Sequence, residues 1–463
     1  GNVSVDGGTI KLDGDYPTGT ENVALGNTAL DSAASGAAYN VAIGGKAGTS
    51  ITTGDTNTAI GYQSVTAAST TSNLVGVGYR SLASATGIEN TAVGSYSQED
   101  TAAGVANTSV GYISLYQNSS GQQNTAVGRG ALQNNTTASN NTALGFNCLV
   151  TNSTGQQNIG AGSYALQANT TASSSTAFGY AASYSQTTGG SNTSVGYVAG
   201  YTNTTGTENT YVGLSAGQLN ASSSYNTAIG NQALQNNTAS YNTALGRTSL
   251  AINTSGAYNT AAGMHSLYNN TTASDNTAVG YAALYTNTTG ANNVGMGKSS
   301  LSALTTASYS TGVGANSGYS ATTAAHCTLI GNDAGRNITT GGMNTCIGSR
   351  AGNNLTTGAD NILIGFQAAY YTTALTTGTG NTFIGDYSQP NASNDDFSLA
   401  IGYNATGKGS RTGLLQVHGG GVYQSNNTSS WSTTSDKRLK KNIVDNNTGL
   451  EKINAIQVKN FEY

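Results

Sequence analysis

The chain has 463 residues, of which 63 are Gly, 27 are Tyr and only 2 are Pro; charged residues make up 8% and the formal net charge is −4. So weak and balanced a charge excludes a self-repelling disordered chain, yet Leu, Ile, Val and Phe are too sparse for a conventional globular core. The repeated part carries no basic patch, no run of about 18 apolar residues occurs, and three Cys give no disulfide framework, so neither nucleic-acid binding nor a membrane span nor a disulfide scaffold is expected.

Residues 1–20 form a lead-in. The opening GNVSVDGG has no Met and no signal-like segment, and reads as the start of a fragment or a mature form. Residues 21–402 then repeat one phrase, seen clearly in NTAVGYAALYTNTTGAN at 276–292. Its core is a pentad, Asn-Thr-Ala-(Val/Ile/Leu)-Gly, whose glycines run from Gly26 to Gly402 in 23 copies; 18 of the 22 intervals are 17 residues. Disorder needs no fixed register, whereas a solenoid, in which each unit buries its face against its neighbours, does. Helical repeats need more than about 30 residues per unit, and Gly with β-branched Thr in every copy opposes helix. The fold expected is therefore all-β: a parallel β-solenoid, or β-roll, of about 23 coils of 17 residues.

Within a coil, Asn276–Gly280 is expected as a strand. The side-chain period of two puts Thr277 and Val279 on one face, expected to point inward, and Asn276, Ala278 and Gly280 on the other. Tyr281–Leu284 is expected as a second short strand, and Asn287–Gly290 as a turn in which Gly takes positive φ. Stacked at ~4.8 Å, the coils would make a rod on the order of 110 Å long, with like residues over like and buried Asn ladders joining coil to coil. One Val and one Leu per unit is a thin core. Ala278-type and Tyr281-type positions are accordingly expected to pack against other copies of the chain, most simply in a homotrimer.

Tyr62, Tyr79, Tyr112, Tyr180, Tyr197 and Tyr281 all follow a pentad Gly. They read either as a column packed between chains or as an outward surface for stacking on sugar rings, and so as the candidate receptor-binding residues. Cys148 and Cys346 stand in slots filled elsewhere by Ala or Ser, and Cys327 replaces the usual Asn; all three read as small filler. His265, His326 and His418 have no partner at ligand spacing, so no metal site is expected. No cofactor is implied. The array is being terminated where the interval stretches to 20 residues after Gly365 and Pro390 appears. From Trp431 the text changes: these 33 residues hold 10 of the chain's 36 charged residues, and Ile443, Leu450, Ile453 and Ile456 fit an amphipathic helix. On charge alone, Lys437, Arg438, Lys440 and Lys441 form a solvated basic patch.

The stretch Ser435-Asp436-Lys437-Arg438-Leu439-Lys440-Lys441-Asn442-Ile443 closely resembles the opening of the peptidase S74 family, the intramolecular chaperone at the C-terminus of phage tail fibres and tailspikes. Leu414–Val417, Val422-Tyr423 and Trp431 look like the β-structured neck that precedes it, which sets a neck at 403–434 and the start of a helical chaperone domain at 435–463. The resemblance implies a single self-cleavage: Ser435 attacks the Thr434–Ser435 bond, with Lys440 as base. A lysine acts so only when burial or neighbouring cations lower its pKa. Only 29 residues follow Thr434, so the chain is expected to stop short of the complete domain. The pentad array is separately similar to the head repeats of YadA-like trimeric autotransporter adhesins, which implies a parallel β-roll within a trimer.

Together these imply a structural and adhesive protein. It would be the elongated trimeric shaft of a phage tail fibre, located on the virion, attaching to a host-surface glycan or protein receptor and to other tail or baseplate proteins. A bacterial trimeric surface adhesin on the cell surface is the alternative. Of other classes, an ice-binding solenoid would need outward Thr ladders, and a polysaccharide-degrading tailspike would need paired carboxylates in a cleft. Asp395-Asp396 is the only Asp-Asp pair in the array, in its irregular ending where a solvated loop is expected. Calcium-binding repeats are excluded because GGxGxD never appears.

Overall fold

A computed structural model describes residues 10–11, 19–418, 420–425 and 428–433. Each coil contributes one three-residue strand, from Val23–Leu25 to Leu399–Ile401, paired in parallel and in register with the strand of the next coil. In the phrase at 276–292 the strand is Thr277–Val279, with Thr260 beside Thr277 and Ala262 beside Val279. The described chain is all-β without a helix, a parallel β-solenoid of about 23 turns with ~17 residues per turn. At the N-terminal end Ile10–Lys11 pairs antiparallel with Val23–Leu25. At the other end Gly413–Val417 pairs parallel with Leu399–Ile401, then antiparallel with Gly420–Gln424, which pairs antiparallel with Trp431–Thr433. These reversals cover the open edges that a parallel stack would leave at its ends. The expected helical segment at 435–463 lies outside the described residues.

The strand faces opposite to expectation. Ala278 is fully buried, whereas Thr277 is partly exposed and Val279 is 36% exposed. Ala278 therefore cannot pack against another copy of the chain, and Thr277 and Val279 do not form the core. The reason is width. A Cβ built on Gly295, the same slot one coil on, would lie 3.0 Å from the Leu284 side chain, so the interior beside each Leu admits only a small residue. Larger residues appear there only with compensation. Tyr211 fills the slot where Gly200 and Gly217 replace the usual Leu, and a Cβ on Gly217 would stand 2.2 Å from the Tyr211 ring. Leu329 sits in the same way between Gly318 and Gly335.

The expected second strand is instead a turn. Ala282 (φ 53°) and Leu284 (φ 50°) are left-handed, alternating with neighbours of negative φ. Each such residue costs about 1–2 kcal/mol, but the alternation aims successive N–H groups along the rod. Ala282 N donates back to Met264 O (3.0 Å), and Leu284 N donates forward to Ser300 O (3.0 Å). Further round, Thr286 N and Thr288 N reach Ser302 O (3.1 Å) and Thr305 O (2.9 Å) of the next coil. Axial hydrogen bonds thus continue past the strand. The turn glycine Gly290 is not left-handed; the pentad glycine Gly280 is (φ 127°), and a Cβ there would lie 2.7 Å from the Gly297 carbonyl carbon.

Two Asn columns run inside. Asn276 Nδ2 donates to Asn259 Oδ1 (3.2 Å) and to Gly290 O (3.0 Å), while its Oδ1 accepts from Asn293 N (2.9 Å). The expected Asn ladder is this column. The second lies at the turn, where Asn287 Nδ2 bonds Asn270 Oδ1 (3.2 Å) and Gly290 O (2.8 Å). It ends where Leu304 follows, leaving Asn287 Oδ1 without a partner. The apolar interior forms three stretches, broken by polar substitutions. At one break Gln98 Nε2 bonds Ser109 Oγ (2.9 Å); at the other Ser183 Oγ bonds Ser194 Oγ (2.7 Å).

Two substitutions test this coil by urea denaturation. Gly280→Ala is expected to destabilise by about 3 kcal/mol or more, combining a disfavoured φ with a backbone clash. Asn276→Ala leaves several buried groups unpaired and is expected to cost about 2 kcal/mol. Near-neutral values for both would contradict the packing described.

Candidate functional site

With the interior filled by small residues, the surface carries whatever chemistry the rod has. The strand presents two outward columns. In all 23 coil strands the first residue is Thr, Val, Ile or Leu, and the third is Val, Ile, Leu, Ala, Met or Phe. Neither column contains a charge or an interruption. Beyond Gly280 the chain turns onto a second face, where Tyr281-type and Tyr285-type columns flank the Ala282-type column, whose residues range from Gly130 and Ala181 to Tyr164 and Arg350.

The six tyrosines singled out from sequence all lie exposed on this second face. Tyr62 stacks on Tyr79 (5.7 Å, 14°) and Tyr180 on Tyr197 (5.3 Å, 12°). Tyr112 neighbours Arg129, whose guanidinium sits 5.9 Å from its ring and 5.3 Å from that of Phe146. Tyr281 meets His265 edge-on. The column does not join the six into one surface, because Ser95, Arg129 and Arg247 occupy slots between them; Lys298 and Asp386 interrupt it further on. Sequence reasoning missed the companion column, in which Tyr184 stacks on Tyr201 (5.0 Å, 12°) and Tyr268 on Tyr285 (5.5 Å, 11°). Its signal was the spacing in YAASY (180–184) and YVAGY (197–201), two consecutive coils with Tyr at both positions. A recess of about 470 Å³ opens between those columns, and a second of about 220 Å³ is lined by Tyr371, Tyr387, Tyr403 and Asn404.

No protein-family model, curated protein or solved structure matches this chain.

Ser435 and Lys440 lie outside the described residues. The Asp395-Asp396 pair is not a solvated loop: Asp395 is buried, and its Oδ2 accepts from Asn391 N (2.8 Å) and Ala392 N (3.0 Å). Asp396 Oδ1 accepts from Thr379 N (2.7 Å). Both carboxylates thus fasten the irregular end of the array. Glu99 is also buried; burial raises its carboxyl above the usual range, and Arg80 Nε, 2.6 Å away, opposes that rise. Among the described residues no group of three His, Cys, Asp or Glu is placed to hold a metal ion.

Cys148, Cys327 and Cys346 are free and buried, as filler residues should be. Burial pushes the Cys148 thiol up to about 12 and raises the other two as well. Iodoacetamide at pH 8 is therefore expected to leave all three unmodified in the folded chain and to label all three in urea. Rapid labelling of the native protein, read by mass spectrometry, would contradict this interior.

Proposed function

We propose that the protein is the shaft of a homotrimeric phage tail fibre that carries host-surface recognition. The coarse part of this reading, an elongated β-solenoid suited to a fibre- or shaft-like structural role, is the fold itself. The observation that carries the rest is the unbroken outer face of the strands. An uncharged, mostly β-branched surface repeated through 23 coils is larger than soluble proteins leave uncovered. A partner must match its ~4.8 Å rise along its whole length. A second copy of the same chain does so, and closed symmetry then completes the assembly. Val279-type residues, not Ala278-type ones, are the proposed contact. The Tyr281-type column, interrupted by Arg, Lys and Asp, suits a face turned outward to a receptor. The number three and the phage setting rest on the resemblances of the pentad array and of the Ser435–Ile443 stretch. On the same basis, the segment from Ser435 is proposed to begin the trimerisation chaperone, with Ser435 and Lys440 cutting the Thr434–Ser435 bond once. A bacterial surface adhesin would use the same faces.

One observation favours a second reading. Thr277-type residues point outward, beside the Val279-type column, and make the outward Thr ladder that an ice-binding solenoid needs. Thermal hysteresis of the purified rod would support that reading; its absence removes it.

The fibre reading is tested by mass. Native mass spectrometry is expected to give three times the chain's 46.5 kDa, and denatured mass reports any cut before Ser435. Val127→Asp, Ile229→Asp and Val279→Asp together are expected to yield a monomer with unchanged β circular dichroism. A wild-type monomer, or a trimer indifferent to the three charges, would contradict it.

A further inference from the structure

The geometry points to a binding groove for a short neutral oligosaccharide on the coils that contain Tyr180 and Tyr197. Its walls are two stacked pairs, Tyr180 with Tyr197 and Tyr184 with Tyr201, and its floor is Ala181 and Val198. Most other coils lack one wall or the other. Here both walls persist for two turns, and the small floor residues leave about 470 Å³ between them. That lies within the ~300–1,000 Å³ of ordinary small-ligand clefts.

One end is shut. Tyr164 occupies the floor position one coil earlier, and its ring meets Tyr180 (5.8 Å) and Tyr184 (6.5 Å) edge-on. At that end Gln167 Oε1 is buried without a hydrogen-bond partner, an acceptor left for a ligand hydroxyl. At the other end Gln218 also lines the groove, its Oε1 accepting from Gln235 Nε2 (3.1 Å), a contact that orients the amide. No lining residue carries a charge. Apolar aromatic area combined with amide and phenol groups suits a ligand that has both C–H surface and hydroxyls but no charge, which describes a neutral sugar.

The interior beneath the groove also departs from the repeat. Ser183 takes the place of Leu, Ser194 that of Ala and Gln186 that of Asn, with Gln186 Nε2 bonded to Ser175 Oγ (2.8 Å). Local departures from a packing rule gather where function constrains the sequence.

This inference deepens the reading of the protein as a recognition fibre by naming the class of ligand. The test is calorimetric titration and saturation-transfer NMR of the full chain with maltotriose, cellotriose and triacetylchitotriose. Two paired variants are compared: Tyr184→Ala with Tyr201→Ala in the groove, and Tyr268→Ala with Tyr285→Ala on the same column away from it. At least one trisaccharide is expected to bind the wild type. Its affinity is expected to fall about tenfold or more in the groove variant and to stay unchanged in the other. No binding by any of the three, or equal losses in both variants, or no loss in either, would overturn the groove. A monomer that binds sugar here would remove the trimeric fibre and keep the groove. A trimer that binds none would do the reverse.

Discussion

Everything in this molecule depends on hydrogen bonds that run along the rod rather than around it. A 17-residue coil closes only a few of its own peptide hydrogen bonds, such as Asn287 N to Leu284 O (3.2 Å). The chain answers by turning peptide planes parallel to the axis nearly all the way round, at the cost of left-handed residues such as Ala282, Leu284 and Asn292 in the turns. Buried Asn amides extend the same axial pattern into the core, where an unpaired polar group would be expensive. Once every coil bonds to the next in this way, its length and register are no longer free.

That constraint accounts for the composition. Gly is required where the strand ends and backbone approaches backbone, as at Gly280. Ala, Ser and Cys fill the slot beside Leu because nothing larger fits, unless a Gly gives way as Gly217 does beneath Tyr211. Thr, abundant outside, adds a further column of axial bonds: Thr288 Oγ1 donates to Thr305 O (3.1 Å), and Thr305 Oγ1 to Thr322 O (3.0 Å). Apart from the buried Leu column and the exceptions Tyr211 and Phe383, bulk and aromaticity accumulate on the surface. The result inverts a globular protein: small polar and apolar residues within, Val, Ile and Tyr without.

This inversion explains what the sequence did and did not disclose. The 17-residue period, the parallel stacking and the Asn column at Asn276 were legible, because register leaves a direct mark on the text. The direction of the strand was not. In Thr-Ala-Val a period of two is plain, but hydrophobicity favours Val for the inside, and only the width of the coil decides for Ala. The recurrence of small residues at that one slot, and of Gly at the Leu position beside Tyr211 and Leu329, was the readable clue. Tyr281–Leu284 resembled a strand because an alternation of positive and negative φ leaves no mark in side-chain type. Of the candidate surface, one tyrosine column was visible through its place after Gly. The companion column became meaningful only when Tyr184 and Tyr201 were seen to stand across a groove from Tyr180 and Tyr197.

A rod so built divides its labour by face: the uncharged strand face suits sister chains, and the interrupted tyrosine face suits a ligand. Both assignments presuppose that each 17-residue phrase is one rung, with strands lying across the axis. X-ray diffraction from an aligned film of the purified protein measures this most directly. The account predicts a sharp reflection near ~4.8 Å on the meridian. A 4.8 Å reflection on the equator, placing strands along the rod, or a diffuse ring without orientation in a well-aligned film, would contradict it.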